Sequence, residues 1–205
     1  MPGLDTLLAK SLHSIIRENL GKKTLEKVER RLFERYGINL TQSIEDFTKL
    51  DSVLREFFGE GAEGLEKQYF DSIVRLEQES KTQNQNWITI EESSLAKLIL
   101  EALGDEDKKN ILNSVLDEPR IISDILEISK MSQASGYGKV NSLIDSGLLI
   151  VQGHIITHDG KKVSKYKSIF ENVTISIEKN KVVVKVLLAK ESIEKSSVIQ
   201  VVQCR

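Results

Sequence analysis

The sequence predicts an α+β fold in two parts, an N-terminal four-helix all-α domain and a second domain in which helices are followed by β-hairpins. As far as residue 77, apolar residues recur at three- and four-residue spacing, which is the period of an amphipathic helix. After Leu148, apolar and polar residues alternate, which is typical of a half-buried strand. Residues 78–86 include no apolar residue. We therefore expect a helical domain over residues 1–77, a linker over 78–90 and a second domain over 91–205.

Four helices are expected in the first 77 residues. The first ends near Gly21, and the second ends at Gly37, where a left-handed residue is favoured. The third begins at Ser43-Ile44-Glu45-Asp46, a capping-box arrangement, and Gly59 begins the turn before the fourth. Because each helix has one apolar stripe, a compact bundle is the expected way to bury them.

Composition and charge restrict the function classes. The net charge of −2 argues against a protein that coats nucleic acid by bulk electrostatics. Residues 129–167, however, contain six lysines and only two aspartates, which is a local excess of positive charge. The lysines are Lys130, Lys139, Lys161, Lys162, Lys165 and Lys167.

The chain has the features of a cytoplasmic protein. No apolar run approaches the roughly 18 residues of a membrane span, and the N-terminus does not resemble a secretory signal. The lone cysteine, Cys204, cannot form an internal disulfide and is expected to be an exposed terminal thiol without a redox role. We expect no membrane association.

Residues 119–147 have the pattern of a helix, a short turn and a second helix. The turn is Ser129–Ser132, Ser132 caps the second helix, and Gly147 ends it. The outer face of this second helix is polar and rich in hydrogen-bonding groups, as a helix that enters a DNA major groove must be. Tyr137 either packs at the edge of the core or contacts a phosphate through its hydroxyl. The candidate DNA-binding residues of this helix are Ser132, Gln133, Ser135, Tyr137, Lys139 and Asn141.

Two β-hairpins are expected after this helix. Asp159-Gly160 is a strong signal for a two-residue turn, and Lys161, Lys162 and Lys165 at or near its tip could reach DNA phosphates. In the second hairpin, alternating apolar residues flank a turn at Glu178–Lys181.

The region of roughly residues 105–188 resembles the winged helix-turn-helix of archaeal transcriptional regulators. Its matching stretches are Ile122–Ile125, Ser132–Val140, Leu143–Leu148 and Asp159–Tyr166. The resemblance implies that the helix from Ser132 reads DNA and that the Asp159-Gly160 hairpin is the wing. Relatives often place an arginine directly after the tyrosine, whereas this chain has Gly138. Without that arginine, strong recognition of guanine is not expected.

The first domain is similar to small helical modules of the Nitrosopumilus output type, found in archaeal signalling proteins. The matching stretches are Asn19–Gly21, Leu32–Gly37 and Phe57–Glu66. This resemblance implies a sensory or protein-contact role, with a signalling protein or a small molecule as the partner.

Catalytic, cofactor and metal sites are not expected. The stretch Ser135–Lys139 superficially resembles a phosphate loop, but that motif needs glycine where Gln133 stands and Ser or Thr where Val140 stands. His154 and His158 would be about 13 Å apart along a strand, too far to share one zinc ion. Because no catalytic set is present either, we do not expect an enzyme.

These observations together predict a transcriptional regulator that binds double-stranded DNA as a homodimer. The N-terminal bundle and the apolar segment around Val198–Val202 are both candidates for the dimer contact, and that segment could instead pack on the second domain. The alternative is a protein-interaction adaptor of the same fold that does not bind DNA.

Overall fold

The computed structural model describes residues 3–76 and 87–203, and these residues form an α+β fold. The helices are α1 (Gly3–Tyr36), α2 (Leu40–Ile44), α3 (Phe47–Phe58), α4 (Gly61–Ile73), α5 (Ser93–Gly104), α6 (Glu106–Asn113), α7 (Ile122–Ile128), α8 (Gln133–Asp145), α9 (Lys190–Glu194) and α10 (Ser197–Gln203). The strands are β1 (Val74–Leu76), β2 (Trp87–Ile90), β3 (Leu149–Ile156), β4 (Lys162–Ser168), β5 (Phe170–Glu178) and β6 (Lys181–Leu188).

The helices of the first half follow the predicted order with one short helix added, but Val74–Leu76, which were expected to be helical, form strand β1. Gly21, at φ 67° and ψ 154°, divides α1 into the two helices that the sequence predicts. The predicted capping box at Ser43 is wrong. The observed box lies one turn earlier, where the Asn39 side chain accepts from the Gln42 amide and the Gln42 side chain accepts from the Asn39 amide. It begins the five-residue helix α2, and the hydroxyl of Ser43 donates to the Leu40 carbonyl instead.

A four-stranded antiparallel sheet joins the two halves of the chain in the order β1-β2-β6-β5. Residues 87–90, which the sequence assigned to the linker, form β2 and pair with β6, so that Ile88 lies opposite Val186. The sequence did not predict this strand, because four residues are too few for an alternating pattern to be recognised without the partner strand. The rest of the predicted linker, residues 78–86, lies outside the described residues.

The C-terminal segment packs against the N-terminal helices. Val198, Ile199 and Val201 on α10 are buried, and α10 contacts α3 and α4. The segment was a candidate for packing on the second domain or on another copy of the chain, but the first helices of its own chain bury it. Apolar residues from both halves accordingly form one continuous hydrophobic cluster.

The buried carboxylate of Asp5 links the first helix, α1, to the start of the last helix, α10. Asp5 on α1 is fully buried and accepts hydrogen bonds from the Ser196 hydroxyl, from the Ser197 amide at 2.8 Å and from the Ser197 hydroxyl at 2.7 Å. The Ser197 hydroxyl also accepts from the Phe47 amide at 2.9 Å, and this hydrogen bond connects the start of α3 to the same cluster. Burial raises the pKa of Asp5, and the hydrogen bonds from the two serines oppose that rise.

Candidate nucleic-acid interface

Two helices with a short turn between them, α7 and α8, form where the sequence predicts them. Ser132 is the N-cap of α8, and its hydroxyl accepts from the Ser135 amide at 3.3 Å. In the turn, Lys130 has a positive φ of 54°, and the Met131 amide donates to the Leu126 carbonyl at 2.9 Å. Gly147, at φ 77°, ends the second helix.

Gly136 allows the close approach of α7 and α8. A Cβ atom at this position would overlap the Cδ2 methyl of Leu126, a buried residue of α7. The glycine therefore costs helix propensity but permits the tight packing between the two helices. Gly138, two residues later, has open space around it and carries no such constraint.

The outward face of α8 presents four of the predicted DNA-binding residues to solvent in addition to its cap. Gln133, Ser135, Tyr137 and Asn141 are all exposed. The Ser135 hydroxyl interacts with the Ser132 hydroxyl at 2.9 Å, so the two serines partly satisfy each other. Tyr137 is 44% exposed, which leaves its ring available at the surface rather than enclosed in the core.

Lys139 is engaged within the chain. Its ammonium nitrogen lies 2.8 Å from Asp105 Oδ1 and 2.9 Å from Asp107 Oδ2, two carboxylates at the start of α6. Asp105 also caps α6 by accepting from the Lys108 amide at 3.2 Å. The Lys139 ammonium lowers the pKa of Asp105, and the two carboxylates raise the pKa of Lys139. The positive charge expected on α8 is thus paired with negative charges that the count over residues 129–167 did not include.

The β3–β4 hairpin has a three-residue turn rather than the predicted two-residue turn. The Gly160 amide donates to the Thr157 carbonyl, and the Thr157 amide donates to the Lys161 carbonyl, both at 2.9 Å. Gly160 has a φ of 78°, whereas Asp159 does not have a positive φ. The two-residue hairpin turns of types I′ and II′ both need positive φ at the first central residue, here Asp159, so the observed loop is instead a tight turn followed by a left-handed glycine. The position of the predicted turn is confirmed, but its type was wrong.

Two of the three predicted lysines lie together at the hairpin tip. Lys161 and Lys162 are exposed, although Lys161 forms an ion pair with Asp159 at 3.0 Å. Lys165 is partly buried, and it lies on the opposite face of β4 from Lys162 because the two are three residues apart. Lys161 and Lys162 therefore lie at the hairpin tip, whereas Lys165 lies on one face of the hairpin.

Arg120 joins the hairpin to the segment before α7, and no sequence pattern indicated this role. Its amide donates to the Tyr166 carbonyl at 3.0 Å, and its carbonyl accepts from the Tyr166 amide at 2.7 Å, which adds a one-residue bridge to the edge of β4. Its guanidinium Nε donates to the Ser114 carbonyl at 2.9 Å. A bridge of one residue produces no periodic pattern in the sequence, so it could not be predicted from the sequence.

Two further lysines flank the C-terminal half of α8. Asn141 lines an open cleft of about 420 Å³ together with Lys108 from α6 and Lys10 from α1. The Lys108 ammonium lies 3.3 Å from the Ser142 hydroxyl. Lys10 is more than 120 residues away along the chain, so only the folded structure brings it to this surface.

Comparisons of the chain with protein-family models, with curated proteins and with solved structures give no match. Within residues 3–76 and 87–203, no three His, Cys, Asp or Glu residues are grouped so as to hold a metal ion. His154 lies in β3 and His158 in the turn that follows it. No helix in the described ranges is both long enough and apolar enough to cross a bilayer.

Proposed function

We propose that this chain is a DNA-binding transcriptional regulator of the winged helix-turn-helix type. In this proposal α8 enters the major groove and the β3–β4 hairpin is the wing. The observation that carries it is the polar, exposed face of α8 beside a hairpin with Lys161 and Lys162 at its tip. The order of helix, single-residue bridge at Arg120, two closely packed helices and hairpin is consistent with that fold.

The exposed side chains are proposed to contact either base edges or the phosphate backbone. Gln133, Tyr137 and Asn141 are exposed along α8, where amide and hydroxyl groups can reach base edges or phosphates. Ser132 and Ser135 lie at the N-terminus of α8, where backbone amides favour a phosphate. Lys161 and Lys162 supply salt-dependent attraction to the backbone. The carboxylates of Asp105 and Asp107 offset part of this attraction, so we expect moderate affinity for nonspecific DNA.

A homodimer forms part of the same proposal. One α8 reads only a few base pairs, and two copies that contact adjacent half-sites combine two modest interfaces into useful specificity. The N-terminal helices would provide a contact for a signalling protein or a small molecule, as the resemblance of that domain implies.

Fluorescence anisotropy with mixed-sequence duplex DNA across a salt series tests the proposal. The wild-type chain should bind at low salt, with affinity that falls as salt rises. The double variant Lys161→Ala, Lys162→Ala should bind more weakly and show a shallower salt dependence, because the slope falls by about one unit for each ammonium group removed from a phosphate.

The matched control removes two adjacent exposed lysines of α1, as Lys22→Ala, Lys23→Ala. If the control weakens binding as much as the wing variant, the lysines act only through net charge. If the wild-type chain does not bind DNA even at low salt, the proposal fails and the adaptor alternative takes its place.

A further inference from the structure

The β5–β6 hairpin has an apolar face that extends beyond the hydrophobic core. Val184 and Val186 on β6 are buried, whereas their neighbours toward the hairpin tip are increasingly exposed. Ile175 is 47% exposed and Ile177 is 77% exposed, and both lie on the same face as the buried valines because Ile175 is opposite Val184 and Ile177 is opposite Val182. The apolar face of this hairpin therefore starts in the hydrophobic core and extends into solvent at the hairpin tip.

The outer edge of β5 has no strand partner among the described residues, where β5 pairs with β6 alone. Edge strands are usually protected by lysine, proline or short length. This strand is nine residues long, contains neither lysine nor proline, and has Val173–Ile177 at its centre, a run of residues that favour strands. An edge of this kind is suited to pairing with another strand.

The turn determines which backbone groups point outward. Lys179 and Asn180 both have positive φ, so the turn is a two-residue loop closed by the hydrogen-bonded pair Glu178 and Lys181. Hydrogen-bonded and non-hydrogen-bonded pairs alternate along an antiparallel ladder. The amides and carbonyls of Val173, Ile175 and Ile177 therefore point away from β6, toward the open edge.

We propose that β5 pairs with β5 of a second copy of this chain, antiparallel and centred on Ile175. In this register Ile175 faces Ile175 of the second copy and Val173 faces Ile177, so the outward amides and carbonyls form three hydrogen-bonded pairs. The apolar face then continues from one sheet to the other. Glu171 falls near Lys179 of the second copy, and no like charges oppose each other.

Other registers fit less well. A pairing centred on Ile177 leaves little of the two strands overlapped before the turn at Lys179. A pairing centred on Val173 places Glu171 opposite Ile175 and includes the bulge between Phe170 and Asn172. In the register centred on Ile175, apolar residues face apolar residues, so this part of the strand is complementary to itself, as a two-fold interface requires.

This inference deepens the homodimer of the proposed function by naming its contact, and it is tested without DNA. Because a single strand pair is a small interface, we expect an equilibrium between monomer and dimer that depends on concentration. Sedimentation velocity from micromolar to sub-millimolar concentration should show that equilibrium. Ile177→Lys should raise the dimer dissociation constant roughly tenfold or more, because a charge then enters an apolar pair.

Ile156→Lys is the matched control, since Ile156 is 78% exposed on the other hairpin and the substitution is the same. It should leave the dissociation constant unchanged. Circular dichroism and thermal melting establish that both variants fold. A wild-type chain that is monomeric at every concentration overturns the inference, as does a dimer that Ile177→Lys does not weaken. Either result leaves DNA binding to be judged by its own assay.

Cross-linking tests the register. In a Cys204→Ser background, Ile175→Cys should form a disulfide with itself under copper phenanthroline, because both copies meet at this residue on the two-fold axis. Ile177→Cys should cross-link far less, because its partner in the second copy is Val173. Equal cross-linking of the two variants would overturn the register, and no cross-linking of Ile175→Cys by a dimeric chain would overturn the contact itself.

Discussion

The Lys139 ammonium donates to Asp105 Oδ1 at 2.8 Å, although the two residues are 34 positions apart. This pair, together with Asp107, joins the proposed recognition helix α8 to α6 and places negative charge beside it. The charge near α8 is therefore set by a contact between helices rather than by the sequence of α8 alone.

Removal of Asp107 is expected to strengthen DNA binding. Asp107→Asn deletes one carboxylate but keeps the Lys139–Asp105 pair and the Asp105 cap of α6. We expect a gain in affinity of a few-fold, the scale of one solvent-exposed charge interaction of about 1 kcal/mol or less. Anisotropy titration at fixed low salt measures it. Asp71→Asn, an exposed carboxylate on α4, is the control, and an equal gain there would show an effect of net charge only.

An arginine at position 138 is also expected to strengthen DNA binding. Gly138 is exposed on α8 and has open space around it, so Gly138→Arg introduces a guanidinium without steric overlap. The salt dependence should steepen by about one unit of slope if the new group contacts a phosphate. Gly64→Arg on α4 adds the same charge at another open glycine. An identical increase in slope for both variants would contradict a direct contact from α8.

The two glycines of α8 should respond to alanine in opposite directions. Gly136→Ala places a methyl group against Leu126 and should destabilise the fold by about 1–3 kcal/mol, the usual cost of overpacking. Gly138→Ala meets no atom and should stabilise it by up to about 1 kcal/mol, because alanine has the higher helix propensity. Urea unfolding at neutral pH distinguishes the two. A stabilised Gly136→Ala variant would show that α7 and α8 are packed less closely than described.

Glu66 should make the fold less stable as pH rises. It is buried on α4, and burial, reinforced by the negative charge of Asp51, raises its pKa to about 8 from the ordinary 4.5. Between these two values the unfolded chain has released the proton while the folded chain retains it, so the contribution of Glu66 to the free energy of unfolding falls by about 1.4 kcal/mol per pH unit. Above pH 8 that contribution is constant.

Glu66→Gln should remove this slope and be more stable than wild type at pH 7, because the amide remains neutral and can still donate a hydrogen bond to Asp51. Thermal melting from pH 4 to pH 9 measures the difference. Glu26→Gln, at an exposed position of α1, should keep the wild-type profile. A Glu66→Gln profile that is parallel to wild type across the whole range would show that Glu66 is ionised in the folded chain.

Asp5 should hold the C-terminal helix in place. Asp5→Asn removes the charge that accepts from Ser196 and Ser197, and an amide nitrogen then faces at least one donor. We expect a loss of about 2–4 kcal/mol in the free energy of unfolding, since hydrogen bonds to a buried charge are among the strongest. Hydrogen exchange should show reduced protection over α10 in particular. Reduced protection spread evenly over the chain would contradict a local fastening role.

Local signals explain what could be predicted. The cap at Ser132, the stop at Gly147, the break at Gly21 and the turn at Glu178–Lys181 each depend on a few adjacent residues, and all four are present in the structure. The order of helices followed by hairpins was predictable for the same reason, because the period of the apolar residues is a local property.

The sequence by itself thus determined the α+β class, the two helices α7 and α8 with the short turn between them, and the positions of the β3–β4 and β5–β6 hairpins. Only the tertiary structure decided that Lys139 is paired with Asp105, that residues 87–90 join β6, that Arg120 bridges to Tyr166, and that the C-terminal segment is buried on the first helices. The physical reason is the same in each case. Ion pairs, short strands and burial depend on contacts between residues that are far apart in the sequence, and a window of adjacent residues does not specify those contacts.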